Sequence, residues 1–325
     1  MLTKHELTQQ IKKLALQNGF LKVGIAPAKI LDRSSYLMEW LKGGKHGHMH
    51  WMERYLDKRL DVCKLYPPAK SVIAVAQNYY TPQRHSTDPR KGKISRYAWG
   101  RDYHKIMKKK LKSLLGQIKQ IDETIDGRFF VDTAPIQDKL WARETGIGWQ
   151  GKNTNILTRD LGSWIFLGEL VINTELEYDH PATDYCGSCR ACIEACPTQA
   201  LEPYRLDATK CISYLSIELR DQPISKAFIP HLNNWIFGCD ICQDVCPWNR
   251  FARETDEIDY QPDAGNVHPD LSELSKLTED QFKARFKKSP VSRARHANFM
   301  RNIAAVQDKS VPVNEDDHHQ GHQSG

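Results

Sequence analysis

Leu7, Ile11, Leu14 and Ala15 recur on one face of a 3.6-residue repeat, with Thr3 placed to cap it and Gly19 to end it. Residues 3–18 are therefore predicted to form an amphipathic helix. Phe20 to Ala26 reads as a strand stopped by Pro27, and Ser35–Leu41 as a short helix running into Gly43-Gly44. Ser71 to Ala76 is a continuous run of small and branched apolar residues, the pattern of a buried strand. Thr81 to Lys93 is polar, carries two prolines and is predicted to be a surface loop. The clearest helix covers 104–121, where Met107, Leu111, Leu114, Ile118 and Ile121 alternate steps of four and three. Phe129-Phe130-Val131 is a short strand ending at Asp132, followed by a helix around 136–145. Asn155–Thr158 and Trp164–Ile172 read as two strands joined through Asp160-Leu161-Gly162. This alternation predicts an α/β or α+β domain with a mixed sheet.

Charge and composition narrow the partners. The formal net charge is +6, and Lys105, Lys108, Lys109, Lys112 and Lys119 line the polar face of the 104–121 helix. That face is either simply solvated or a phosphate-contacting surface. No run of eighteen apolar residues occurs, so no membrane span is expected. The N-terminus lacks a signal-peptide layout and a twin arginine, so the expected location is the cytoplasm. Ser310 to Gly325 is polar, rich in His, Asp and Gln, and expected to be disordered.

The cytoplasm keeps thiols reduced, which argues against disulfides. Of nine cysteines only Cys63, read as a small buried residue, lies in the first half; the other eight fall between Cys186 and Cys246. Cys186-x2-Cys189-x2-Cys192-x3-Cys196-Pro197 is the run that bacterial ferredoxins use for a [4Fe–4S] cluster. A second set follows, Cys211 and then Cys239-x2-Cys242-x3-Cys246-Pro247. In the ferredoxin pattern the fourth cysteine ligates the other cluster. One cluster then takes Cys186, Cys189, Cys192 and Cys246, and the other Cys196, Cys211, Cys239 and Cys242. Structural zinc also uses four thiolates, but it favours pairs of C-x2-C over a triple run and does not call for the Cys-Pro endings. Two clusters imply one-electron transfer to an acceptor, and the 180 residues ahead of them are expected to hold it.

Two other motifs fail on context. Gly146-x-Gly148-x-x-Gly151 matches a dinucleotide fingerprint, but a helix precedes it and a strand follows, the reverse of what that fingerprint requires. Read as a phosphate-binding loop, it has Asn153 where a Ser or Thr must hold magnesium. Trp149 to Asn153 nonetheless concentrates polar side chains and bare backbone in one loop, which suits a large polar ligand. His46, His48 and His50 have no nearby cysteine and read as a surface turn. Asp132, ahead of Thr133-Ala134-Pro135, is either a helix cap or a catalytic acid.

Val131 to Pro135, Gly146 to Leu157, Gly162 to Glu169, Ile94 to Ala98, Gly100 to His104 and the eight cysteines together resemble the epoxyqueuosine reductase family over roughly residues 5–305. The resemblance implies an α+β chain in four parts. A mixed α/β cobalamin-binding domain of reductive-dehalogenase type spans 1–179, and a two-cluster ferredoxin-like module spans 180–250. A helical segment, 251–307, packs back on the core, and 308–325 is a disordered tail. It implies base-off cobalamin and two [4Fe–4S] clusters, and reduction of epoxyqueuosine to queuosine at the tRNA wobble position. It also implies Asp132 as proton donor and cofactor contacts at Arg59, Arg96, Tyr97, Asp132, Gln150, Lys152, Asn153, Asn155 and Ser213. A monomer served by an external one-electron donor such as flavodoxin or ferredoxin is expected. No Asp-x-His-x-x-Gly occurs to supply a histidine to cobalt. Many members continue past Arg301-Asn302 into a HEAT-like segment that grips tRNA; this chain has a short polar tail there. The rival readings are a dehalogenase-like enzyme acting on a small molecule and a ferredoxin-type carrier without catalysis.

Overall fold

The computed structural model describes residues 2–31, 34–308 and 310, so nearly all of the tail expected to be disordered lies outside the described residues. Four strands form the central sheet: β1 (Lys22–Pro27), β2 (Ser71–Asn78), β3 (Gly127–Phe130) and β4 (Ile165–Ile172), in the order β1-β2-β4-β3. All three pairings are antiparallel, not mixed as expected. Helix–strand alternation implies parallel neighbours only where one helix makes the crossover. Here each connection is long enough to bring the chain back to either end of the sheet.

Every residue of β2 is buried, because both sheet faces are covered. Ile73 and Val75 pack with α1 (Lys4–Gln17) and α2 (Tyr103–Ile121), through Leu7, Ile11, Met107, Leu111 and Leu114. Val72, Ala74 and Ala76 point the other way, toward Trp141 and Ala142 of α3 (Asp138–Glu144). Thr3 caps α1 in a reciprocal box with Glu6, and Asp102 caps α2 by accepting from the His104 N–H at 3.1 Å. The 136–145 helix is shorter than predicted, beginning at Asp138 after Gln137.

Ile156–Leu157 does not join β4. It pairs with Trp149–Gln150 in a hairpin of its own, and Thr158 bridges Gly162 to turn the chain into β4. The predicted loop 81–93 is anchored inward: Thr81 is buried, and the His85 ring sits between Trp99 and Trp235 with Nε2 3.1 Å from Asp240. Of the three histidines expected on a surface turn, His46 is buried beside Trp40, its Nε2 3.1 Å from Glu53. Gly47 follows with a φ of +57°, and a Cβ there would lie 2.3 Å from the Tyr214 hydroxyl, so this turn accepts only glycine without rebuilding.

The remaining helices back the cysteine module. Lys93–Ile94 runs parallel to Trp235–Phe237, and Trp99, Phe237, Phe282, Phe286 and Phe299 form one apolar cluster around them. Here lies α4 (Ile212–Ile217), which the final helix α5 (His296–Gln307) secures through its polar side chains. Asn302 Nδ2 donates to the carbonyls of Ser216 (2.7 Å) and Ile236 (2.9 Å). The Arg301 guanidinium donates to Leu215 (2.8 Å), Leu219 (2.6 Å) and Gln222 (2.7 Å). Among the described residues no helix is long and apolar enough to cross a membrane.

Candidate active site

The eight clustered cysteines gather in two groups of four, divided as their spacing predicts. Cys186, Cys189, Cys192 and Cys246 line a cavity of about 220 Å³. Cys196, Cys211, Cys239 and Cys242 line one of about 240 Å³. The short helices Ala191–Glu194 and Ile241–Asp244 pack together and carry one cysteine to each group, Cys192 and Cys242. Asn153 lines both cavities and donates to the Cys242 carbonyl at 3.1 Å. Lys152 donates to the carbonyls of Gly187 (2.6 Å) and Cys189 (2.9 Å), tying down the first loop. Burial first, and then the neighbouring thiols, push Cys192 up to about 11. Such crowding suits thiolates held on iron, whose charge compensates four at once. Cys63 stands apart and half-buried, its Sγ 3.9 Å from the Ala28 carbonyl.

The inner group opens onto a larger cavity of about 620 Å³, which Cys211 and Ser213 reach from one side and Asp132, Tyr103 and His104 from the other. Tyr97, Leu206, Cys211 and Ser213 line both this space and the inner thiol cavity, so the two are continuous. Met49, Trp51, Asp102, Lys105, Lys108 and Arg293 are also on its wall. His104 is the histidine among the lining residues, and both of its ring nitrogens are engaged, leaving neither for a metal.

Asp132 follows β3 with a φ of +52°, a left-handed turn that points its side chain, 56% exposed, into the large cavity. It caps no helix, since α3 begins six residues later; the cap reading therefore falls. Its Oδ2 accepts from Tyr103 Oη at 3.1 Å and faces His104 Nε2 at 2.9 Å. His104 Nδ1 lies 2.7 Å from Asp102 Oδ1. Burial works against a charged His104, but its bonds to Asp102 and Asp132 outweigh it and raise the imidazole to about 9. Enclosure would raise Asp132; hydrogen bonding and charge from His104, with help from Tyr103, hold it below its ordinary value. At neutral pH the pair is an imidazolium beside a carboxylate.

Behind Asp132 lies a second acidic pair. Asp138 Oδ1 accepts from the Asp132 N–H at 3.4 Å. Burial, opposed by the neighbouring Glu169 carboxyl, raises Asp138 to about 6. Glu169, fully buried on β4, is raised by burial and then by Asp138. Two carboxyls in one dry site share protons because both cannot ionise there.

The other expected contacts scatter. Tyr97 and Ser213 line the large cavity; Asn155 lines the inner one, accepting from Lys139 Nζ at 3.2 Å; Gln150 lines a neighbouring cavity of about 530 Å³ with Lys139. Lys152 and Asn153 meet the thiol loops. Arg59 is buried, stacked 5.4 Å over Trp51, with its Nε unpartnered. Arg96 is turned into the protein, between Trp99 and Trp164, donating to the carbonyls of Thr81 (2.6 Å) and Gln83 (2.7 Å). Sequence reasoning missed His104, Tyr103, Asp138 and Glu169. His104 and Asp132 are 28 positions apart, and no periodicity links them.

The chain resembles known proteins in sequence and in fold. The family model described as epoxyqueuosine reductase QueG, DUF1730, matches residues 59–133, and that for a 4Fe-4S double cluster binding domain matches 185–249. The epoxyqueuosine reductase of Synechocystis sp. is 47% identical over 288 residues, 87% of this chain and 99% of that protein. A crystal structure of epoxyqueuosine reductase with an epoxyqueuosine-modified tRNA-Tyr stem loop superposes with a TM-score of 0.86, at 30% identity, covering 95% of this chain and 84% of that one. The Bacillus subtilis enzyme, with its catalytic aspartate loop swung out of the active site, gives a TM-score of 0.84 at 30% identity, over 95% and 84% of the chains.

Proposed function

The chain belongs to the epoxyqueuosine reductase family, and from that premise we propose that it reduces epoxyqueuosine to queuosine in tRNA with Asp132 as the proton donor. One observation carries this reading: the carboxyl of Asp132 and the thiol group around Cys211 open into the same cavity, so protons and electrons meet there. A carrier without catalysis has no use for such a space.

The cysteine groups fit two [4Fe–4S] clusters by donor type and number. We take the cavity beside the inner group as the place for base-off cobalamin: its lining histidine is already engaged, and Arg59, its Nε unpartnered, stacks on Trp51 of the wall. Tyr97, Gln150, Asn155 and Ser213 are the residues that would hold it. When bound, cobalamin supplies the low-potential attack on an epoxide carbon. The chain's own residues do the rest. The outer group, with Cys189 exposed, takes electrons one at a time from an external donor such as flavodoxin or ferredoxin, and the inner group passes them on. Asp132, a carboxylate at rest, takes up a proton and delivers it to the departing oxygen, and Tyr103 and His104 hold its Oδ2 so that Oδ1 faces the substrate. Lys105 and Lys108 at the cavity rim meet the tRNA backbone. The protein works as a cytoplasmic monomer.

The test is single-turnover reduction of epoxyqueuosine in tRNA by pre-reduced Asp132→Asn. Asparagine keeps the shape and accepts the same hydrogen bonds but delivers no proton. The expected loss is roughly a hundredfold or more in rate, with both clusters and cobalamin spectroscopically intact. A rate near the parent's rules out the assignment.

A further inference from the structure

Turning an epoxide into an alkene takes two electrons and two protons, and the oxygen leaves as water. Two carbon–oxygen bonds break, one carbon–carbon π bond forms, and two O–H bonds form on the departing oxygen. Asp132 rests as a carboxylate beside the charged His104 ring and holds neither proton. Each proton must therefore reach it while the substrate covers the cavity.

We propose that His104 is the relay that recharges Asp132, receiving protons on the Asp102 side and passing them from Nε2 to Asp132 Oδ2. The proposal rests on the reading of Asp132 as the acid. The geometry is that of a wire: Asp102 Oδ1 to His104 Nδ1 is 2.7 Å, and His104 Nε2 to Asp132 Oδ2 is 2.9 Å. A carboxyl can take a proton on one oxygen and give it from the other, so Oδ2 serves the relay and Oδ1 the substrate. The relay is also fixed in place. Asp102 is the α2 cap, and the His104 ring stacks on Tyr103 at 4.1 Å, whose own ring lies parallel to Phe166 at 4.1 Å. Asp102 also lines this cavity and is partly exposed, so that end of the wire reaches water.

Other charged groups face this line. Lys105 and Lys108 extend from the same helix, with Lys108 Nζ 3.2 Å from Thr133 Oγ1. Arg293 comes from the opposite wall, paired with Glu218 at 2.5 Å and acting on Asp132 through charge. Asp138 stands behind Asp132 but meets its backbone N–H, not its carboxyl. The Asp138–Glu169 pair therefore has no direct bond to Oδ1 or Oδ2 through which to pass a proton.

The experiment measures single-turnover rate against pH for the pre-reduced holoenzyme and for His104→Gln, which keeps a donor toward Asp132 but carries no exchangeable charge. In the parent, the rate should hold to the alkaline side and fall as pH passes about 9, where His104 loses its proton. In His104→Gln the rate should drop about tenfold at pH 8, and its alkaline fall should move toward acid by roughly two pH units or more. A second readout needs no turnover: the ring nitrogen shifts of His104 in the holoenzyme with oxidised clusters should report a charged ring at pH 8, with a lower midpoint in Asp132→Asn. A His104→Gln variant that scales the rate equally at every pH, or a His104 ring already neutral at pH 7, overturns the relay. If Asp132→Asn abolishes turnover while His104→Gln keeps the parent profile, only the relay falls. If both keep the parent rate, the acid itself is wrong.

Discussion

The two walls of the large cavity are built on opposite plans. The electron wall carries Cys211 and Ser213, backed by half-buried thiols from one stretch of about sixty residues. The proton wall is assembled from a helix start and a strand end, with Asp132 56% exposed and its partners drawn from two elements. Electrons tunnel between fixed centres, so their wall can be sealed and rigid. Protons move only along hydrogen bonds, so their wall must stay open to water at one end and to substrate at the other. The difference explains why the thiols are pushed up by burial while His104 and Asp132, nearer solvent, are governed by each other.

The sharpest way to break this division is Cys211→Ala. It should abolish turnover and leave about four of eight irons, those of the outer group, while the His104 titration is unchanged. Iron analysis and the nitrogen shifts check both halves; loss of the His104 titration as well would mean that the walls are not independent. A second test separates the rim from both walls. Lys105→Glu with Lys108→Glu should weaken tRNA binding about tenfold and flatten the salt dependence by roughly two counterions. Lys109→Glu with Lys112→Glu, on the exposed part of the same helix, should do less. Equal losses would return the whole face to a diffuse role.

The smallest expected effect is on stability. A raised His104 contributes stability in full below its unfolded value of about 6.5 and loses it as pH climbs through about 9. The melting temperature of His104→Gln should therefore trail the parent by a few degrees at pH 6 and converge with it by pH 10. A gap that persists at pH 10 would assign the loss to packing against Tyr103 instead.

The same contrast explains what the sequence made legible. Thiol spacing is local, so the split of eight cysteines into two groups, including the distant Cys211, could be read before any fold was known. The helices of 4–17 and 103–121 followed from periodicity because each packs one face on the sheet. The sheet's direction did not follow, since long connections leave it open. The pairing of Ile156–Leu157 with Trp149–Gln150 is not legible in the sequence, because a two-residue strand carries no register signal. Asp132 was visible as a carboxylate at a strand end. His104 was not visible as its partner, because that contact exists only once α2 and β3 both lie beside β4. Arg96, a contact that the resemblance implies, is held by two carbonyls, two indoles and Asp244 at 3.7 Å, with its Nε unpartnered.

The bonds from Arg301 and Asn302 bear on the order in which the protein matures. Translation delivers α4 and Trp235–Phe237 long before it delivers α5, yet the carbonyls of Leu215, Ser216, Leu219 and Ile236 accept from Arg301 and Asn302 of that helix. If that stretch packed before α5 emerged, those acceptors would be buried with no partner, a state costing about 1–3 kcal/mol for each. The inner pocket is thus expected to become rigid only once α5 has docked. A nascent chain stalled before Arg301 should be cut by protease between Ile212 and Phe237, and a chain released after Gln307 should resist.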